Sequence, residues 1–315
     1  MYKYYKKNRY DVMYQYFDSI VEFLDYIDNT ETSKEFKNLE LSSMKNNSDW
    51  SGTKNLIEAE ELVKYGYSKN FNKFLDLKLK LEKYIKLSMK KNKQYNYYVG
   101  YAPDVKAYLE GNPLSMLNKE RESRKQIDIY FNIAYSSYTD SDQVFNRGVI
   151  TLSLMEVLEC LGFNVNLNLF ELSSNENQID YFVWNLKNVQ ERANIRKLYF
   201  PMCHPSFLRR LAFRLLEVTP DVKRSWNSGY GTPGSEALVR EIIDLKENDI
   251  VISQPSVMGI CGYDLIDDAN SMYDVINKKT KIEDFELQKI KKKWKNYKKI
   301  KKFQKKCWQI ALLLI

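Results

Sequence analysis

The sequence predicts an α/β fold, an open and mostly parallel sheet covered by helices. Three features carry this. From Ile127 onward the apolar pattern switches between strand-like and helix-like runs, in the order β, α, β, β, α, α, α, β, α. The run FNVNLNLFEL at 163–172 sets Val165, Leu167 and Leu169 against Asn164, Asn166 and Asn168, a period of two. And 315 residues with 44% hydrophobic content are enough for one large domain or two modest ones with a real core.

The elements follow in chain order. Val12, Tyr16, Phe17, Ile20, Phe23, Leu24 and Ile27 recur at helical spacing, so residues 12–28 read as an amphipathic helix. SSMKNNSDWSGT, 42–53, is a polar loop interrupted by Trp50. Thr53 is placed to cap a helix from Asn55 to Tyr65, which Gly66 stops. A charged helix follows over 71–91, burying Phe74, Leu77, Leu81 and Ile85. Residues 95–118 hold two prolines and two glycines and read as a short strand with an extended connection. Arg121 to Lys125 is a charged turn. IDIYFNIAY is a buried strand, and Asp142 caps a helix to Leu161 with Gly162 as its C-cap. QIDYFVWNLK, 178–187, is the hairpin partner of 163–172. A short helix over 191–200 and a firmer one over 205–217 come next. The loop 225–235 leads into a helix from Ser235 to about Leu245, then a strand in 248–256 and a helix over 267–279. The first βαβ unit requires a right-handed crossover, so its strands are expected to be parallel. These readings divide the chain into an N-terminal helical region packing on the core (1–120), an α/β core (121–280) and a basic helical tail (281–315).

The formal net charge is +8, unevenly spread. Lys278 to Lys306 holds 14 lysines against Glu283, Asp284 and Glu286, a local +11, which leaves −3 for the rest. An electrostatic case for nucleic acid therefore applies to the tail alone. Cys160, Cys203, Cys261 and Cys307 form no CxxC pair, so neither a zinc ribbon nor a redox motif is expected, and reduced thiols point to the cytoplasm. With His204 the only histidine, any metal would rest on oxygen ligands, which suit Mg²⁺ or Ca²⁺. The basic start MYKYYKKNRY lacks the apolar core of a secretory signal, and no run reaches the ~20 apolar residues of a membrane span.

Candidate ligand positions cluster after the strand at 127. In open α/β sheets ligands sit at the carboxyl ends of strands, where Asn132, Ser136, Ser137 and Asp140 lie. This layout resembles the von Willebrand factor A-type fold, whose metal site is a strand ending in Asp-x-Ser-x-Ser, with a more distant Thr and Asp. LGFNVNLNLFEL resembles that fold's second strand, and NDIVISQPS the strand that should end in the last Asp. The key positions depart. Asn132 stands where Asp is expected and Ala134 where the first Ser is expected. Only Ser136 fits, and the last strand ends in Ser253-Gln254. An amide and a methyl cannot supply an anionic shell, so the core is expected to be a degenerate version of that fold without a metal. GYGTPG, with Gly229 and Gly231, has the glycines of a phosphate cradle but no Lys and no strand before it. The bland alternative for the whole loop is a polar βα turn whose side chains cap the next helix.

The second informative stretch is KLYFPMCHPSFLRRLAFRLLE, 197–217. His204 lies between Pro201 and Pro205 at a helix entrance. Cys203 beside it in sequence points elsewhere, so no Cys–His pair is expected, and no catalytic residue and no cofactor is assigned. Arg209, Arg210 and Arg214 crowd one helix, with Arg210 and Arg214 sharing a face opposite Leu208, Leu211, Ala212, Leu215 and Leu216. With His204, they are the expected anion or partner contact, the alternative being pairing within the protein. The Lys-rich tail suits non-specific nucleic-acid contact or packing of its apolar stripe.

Four separated motifs carry a further resemblance: WSGTKN with EAEELVKYGY over 50–67, VGYAPDV with GNPLSMLN over 99–118, HPSFLRRLAFR over 204–214, and GYG at 229–231. Together they resemble an uncharacterised protein family of bacteriophages and prophages, over about Phe17 to Asn277. The resemblance implies a mobile-element protein of the host-cell cytoplasm and supplies no catalytic residues. Three functions compete. The first is a non-enzymatic interaction or adaptor protein with a protein partner. The second is a nucleic-acid-associated protein of phage replication or packaging, using the arginine helix and the tail. The third is a hydrolase or transferase around His204.

Overall fold

The computed structural model describes residues 2–84, 94–100, 102–119, 126–160, 163–175, 177–222 and 230–255, with Asp268 and Ser271. The chain opens with two strands, β1 (Lys3–Lys7) and β2 (Tyr10–Phe17). The helix expected over 12–28 begins only at Ile20: α1 spans Ile20–Asn29 and is capped by Ser19, which accepts from the Glu22 N–H. This corrects the helical reading of the N-terminal region. Val12 and Met13 are neighbours in sequence and both buried, because β2 is an interior strand with both faces covered.

Next come a one-turn helix α2 (Ser48–Ser51), α3 (Leu56–Tyr65) and α4 (Phe71–Tyr84). The cap of α3 is Asn55 and not Thr53, while Gly66 ends it as expected. The connection expected over 95–118 is more regular than that. β3 (Gln94–Tyr97), β4 (Ala102–Pro103) and β5 (Met116–Lys119) form a small antiparallel sheet in the order β3-β5-β4, with α5 (Val105–Leu109) between β4 and β5. The charged turn at 121–125 lies outside the described residues.

The core continues with β6 (Gln126–Asn132), α6 (Ser141–Cys160), β7 (Asn164–Asn175) and β8 (Gln178–Lys187). Then follow α7 (Ile195–Cys203), a π-helical turn (Phe207–Ala212) running into α8 (Phe213–Val218), β9 (Thr232–Pro233), α9 (Glu236–Ile242) and β10 (Ile250–Ile252). The helices expected over 267–279 and in the tail lie outside the described residues, Asp268 and Ser271 apart.

The main sheet has the order β1-β2-β8-β7-β6-β10, with β9 beside the end of β7. β6 pairs in parallel with β7 and β10, and β2 with β8. The β7–β8 hairpin, β1 and β9 pair antiparallel. The α/β class and the parallel β6–β7 unit are as the sequence predicts. The first two strands add an edge that the sequence reading left out.

The two faces of the sheet are covered unequally. Met13, Phe17, Ile129, Phe131, Leu167, Leu169, Phe182 and Trp184 form one core with α1, α3, α4, α6, α7, the π-helical turn and α8. The other face carries Val12, Phe170, Leu172, Ile179 and Val183 against α9. Trp184 is fully buried, with Phe23 and Phe207 set edge-on to its ring. Removing about 200 Å² of such a side chain from water contributes on the order of 5 kcal/mol. Helix α6 is buried almost all round, between the sheet and α4 and α7. Gly148 permits this. A Cβ there would lie 2.4 Å from Cys203 Sγ and 2.5 Å from Met202 O. The end of α7 therefore closes directly on α6, which fixes where His204 stands.

Candidate functional site

A cleft of about 410 Å³ opens beyond the carboxyl end of β6. Its walls come from the 136–142 turn, the α2 turn, the start of α4 and the junction of α7 with the π-helical turn. Asp140 builds the first wall: its Oδ1 accepts from the Asp142 N–H at 3.3 Å, and its own N–H donates to Gln143 Oε1 at 3.1 Å. The α6 entrance is thus capped from within, by Asp140 rather than Asp142. Ser136 Oγ accepts from the Tyr138 N–H. Ser137 lines the cleft and gives its carbonyl to Arg209.

Asn132 stays in the strand end. It is fully buried, and its Oδ1 accepts from the Ala134 N–H at 2.8 Å. Beside it lies Arg147, also fully buried, which donates to Asn132 O at 3.2 Å and Ser253 O at 2.6 Å and sits 4.7 Å from the Phe131 ring centre. A fixed guanidinium therefore occupies the ends of β6 and β10. A metal-binding relative of this layout would need anionic oxygens there. Among the described residues no group of three or more His, Cys, Asp or Glu side chains gathers to hold a metal.

Two sequence motifs lock together at the cleft. Gly52 closes α2 in the left-handed region, φ 86°, and packs on His204, where an added Cβ would meet Cε1 at 2.8 Å. Ser206 Oγ donates to Ser51 O. Arg209 donates to Trp50 O and to Thr139 O at 3.1 Å, with its guanidinium 4.8 Å from the Trp50 ring centre. Arg210 donates to Ser43 O at 2.8 Å, Thr53 O at 2.9 Å, Lys54 O at 3.1 Å, Ser51 Oγ at 2.7 Å and Lys45 O. WSGT and HPSFLRR are thus two halves of one structure.

This corrects the expected arginine face. Arg209 and Arg210 are buried, and Arg214 meets Thr32 Oγ1 at 2.9 Å with Glu217 at 3.9 Å. Their donors go to the protein's own carbonyls and hydroxyls, Arg209 and Arg210 from a π-helical turn whose residues are all buried and Arg214 from the start of α8. Arg209 alone reaches the cleft wall.

His204 lines the cleft and caps α7. Burial, and then the nearby Lys69 charge, pushes its pKa down to about 4. Its Nδ1 accepts from the Ser206 N–H at 3.3 Å, which assigns the proton to Nε2. The ring stacks on Phe200 at 4.9 Å and meets the Tyr67 edge at 4.8 Å. It is therefore a neutral, oriented donor. Cys203 lies behind it against Gly148, and burial pushes its thiol well above the ordinary range, so it supplies no thiolate.

The structure thus gathers His204, Arg209, Ser137 and Asp140 and separates the other candidates. Gly231, at φ 103°, packs on Ser173 near the carboxyl end of β7 and does not line the cleft, and Gly229 lies outside the described residues. Sequence reasoning missed Asp49, Tyr67, Lys69 and Lys73, which join Trp50 in the lining. Lys73 bridges α4 to α6 through Asp142 at 3.0 Å. The WSGT run was visible as a motif, but nothing local says that it faces His204.

Among the described residues, no helix is long and apolar enough to cross a membrane. No curated protein and no solved structure matches the chain. Residues 5–261 match a family described as a domain of unknown function, and this span contains both interlocked motifs and the whole described sheet but its first two residues. The chain belongs to that family, DUF7192.

Proposed function

We propose that the protein is a non-enzymatic binding module whose cleft takes a polar peptide segment of a partner protein. The observation that carries this is the lining. Asp49, Asp140 and Asp142 face Lys69 and Lys73 around Trp50 and Tyr67, a mixed-charge aromatic surface at the carboxyl end of a sheet strand. Both signs suit a peptide carrying charges of both signs better than a polyanion. The walls are preorganised by the Arg209 and Arg210 clamps, so little ordering cost falls on binding.

An enzyme reading finds less support. A nucleophile needs a base, and the base an orienting group. The Nδ1 partner of His204 is a main-chain N–H, not a carboxylate, and Cys203 is a buried thiol. A nucleic-acid reading draws less support from the arginine helix, since Arg209 and Arg210 point into the protein. In the setting that the phage resemblance implies, the partner is a protein of the infected cell.

The test is capture of partners on the tagged protein after nuclease treatment, comparing wild type with Asp49→Lys/Lys69→Glu. Both residues are exposed and belong to no clamp. A protein retained by the wild type and lost from the double variant supports the cleft. Equal capture by both, or recovery of nuclease-sensitive material alone, overturns it.

A further inference from the structure

A second polar place lies inside the fold, away from the cleft, where β7 and β8 meet. In the hairpin Ser173 stands opposite Asp180, and Glu171 opposite Phe182. Alternate residues share a face, so Glu171, Ser173 and Asp180 project from one side of the sheet as near neighbours. Their exposures are 3%, 4% and 2%.

Two of these groups lack what buried polar atoms normally have. Glu171 Oε2 and Ser173 Oγ have no hydrogen-bond partner among the described residues. Gln178 Nε2 donates to Asp180 Oδ1 at 3.0 Å and to Asp221 O at 3.0 Å, which accounts for one carboxylate oxygen. No ion pair to either acid forms among the described residues. Burial pushes Glu171 up to about 8, with Asp180 adding to it, and burial pushes Asp180 up to about 6. An unpartnered carboxylate oxygen inside a protein costs about 1–3 kcal/mol or more. The sequence thus places two acids and a hydroxyl where no described residue supplies a positive group to meet them.

The surroundings close over this cluster. β9 pairs with β7 at Ser173 and Ser174, and the Gly234 N–H donates to Leu172 O at 2.8 Å. Gly231 lets the turn pass so near that an added Cβ would lie 3.0 Å from Ser173 Cβ and 3.3 Å from its Oγ. The described part of that turn, from Tyr230 to Gly234, lies against Leu172, Ser173 and Ser174.

We propose that Glu171, Asp180 and the Ser173 hydroxyl hold a hard divalent cation, Mg²⁺ or Ca²⁺, which fastens the 230–234 turn to the β7–β8 hairpin. The donor set is all oxygen, which selects these ions over zinc or copper. A dication supplies the missing partner for Glu171 Oε2 and Ser173 Oγ at once. Binding requires both carboxyls ionised, so it releases protons. The site is independent of the cleft and of what the cleft binds.

The full chain, stripped with chelator, is melted with Mg²⁺, with Ca²⁺ and with neither. A hundredfold excess over Kd raises the midpoint by roughly 5–8 °C. Tb³⁺, excited through the protein's aromatic rings, gives a saturable emission that Ca²⁺ displaces. Glu171→Gln keeps the shape of the neutral side chain, so it folds, and it abolishes both responses. Asp180→Asn does the same by the other ligand. Melting that ignores both ions, or a response unchanged in Glu171→Gln, overturns the proposal.

Discussion

Arg210→Met is the perturbation that asks most of the structure. Arg210 has no exposed surface, and its two terminal nitrogens donate to four carbonyls and one hydroxyl of the 43–54 segment. Methionine fills much of the volume and supplies no donor. If the segment stayed docked, five acceptors would lose a buried partner at about 1–3 kcal/mol each. That sum approaches or exceeds the ~5–15 kcal/mol stability of a whole domain, so the segment must let go and return its carbonyls to water. The cost is then capped by what docking contributes, about 3–5 kcal/mol for breaking a buried charged network. The assay pairs a urea melt with hydrogen exchange over 43–54. The expected result is a loss of about 3–5 kcal/mol, with exchange in 43–54 rising to the level of an exposed loop. Arg210→Lys restores little, because one ammonium cannot span five acceptors. Arg240→Met is the control: its pair with Glu236 is exposed and is worth at most about 0.5 kcal/mol. An Arg210→Met protein as stable as that control, with 43–54 still protected, would refute the reasoning.

Gly52→Ala meets both a positive φ and the His204 ring, so a loss of about 2–4 kcal/mol in a denaturant melt is expected. His204 makes stability fall with acid. Its folded pKa, about 4, lies below the unfolded value of about 6.5, so the unfolded chain takes up the proton first. The contribution is complete above about pH 6.5 and is lost as pH falls toward 4, by at most about 3 kcal/mol for a partly exposed ring. His204→Gln flattens that part of the stability–pH curve, and parallel curves for the two proteins would contradict the assignment. Deleting 283–315, which lies beyond the matched 5–261, leaves a cooperative melt; its disappearance would show that the tail is part of the fold.

The sequence errors have physical causes. β2 passed for a helix because Val12, Tyr16, Phe17 and Ile20 satisfy a 3–4 spacing, while an interior strand buries both faces and loses its alternation. β7 was legible because its first residues alternate, although its later ones are buried on both sides. The arginines were legible as a cluster and misread as a surface. Helical geometry says which residues share a face, but not what packs on it.

The sequence by itself determined the α/β class, the β6–α6–β7–β8 order and the hairpin, because each rests on periodicity within a few residues. It also marked WSGT and HPSFLRR as unusual. Only the tertiary structure decided that these two meet, that Arg147 fills the strand ends beside Asn132, and that Glu171 and Asp180 share a closed interior. Those relations join residues far apart along the chain. They arise when burial of the sheet forces distant segments together, and no local pattern records which segments those are.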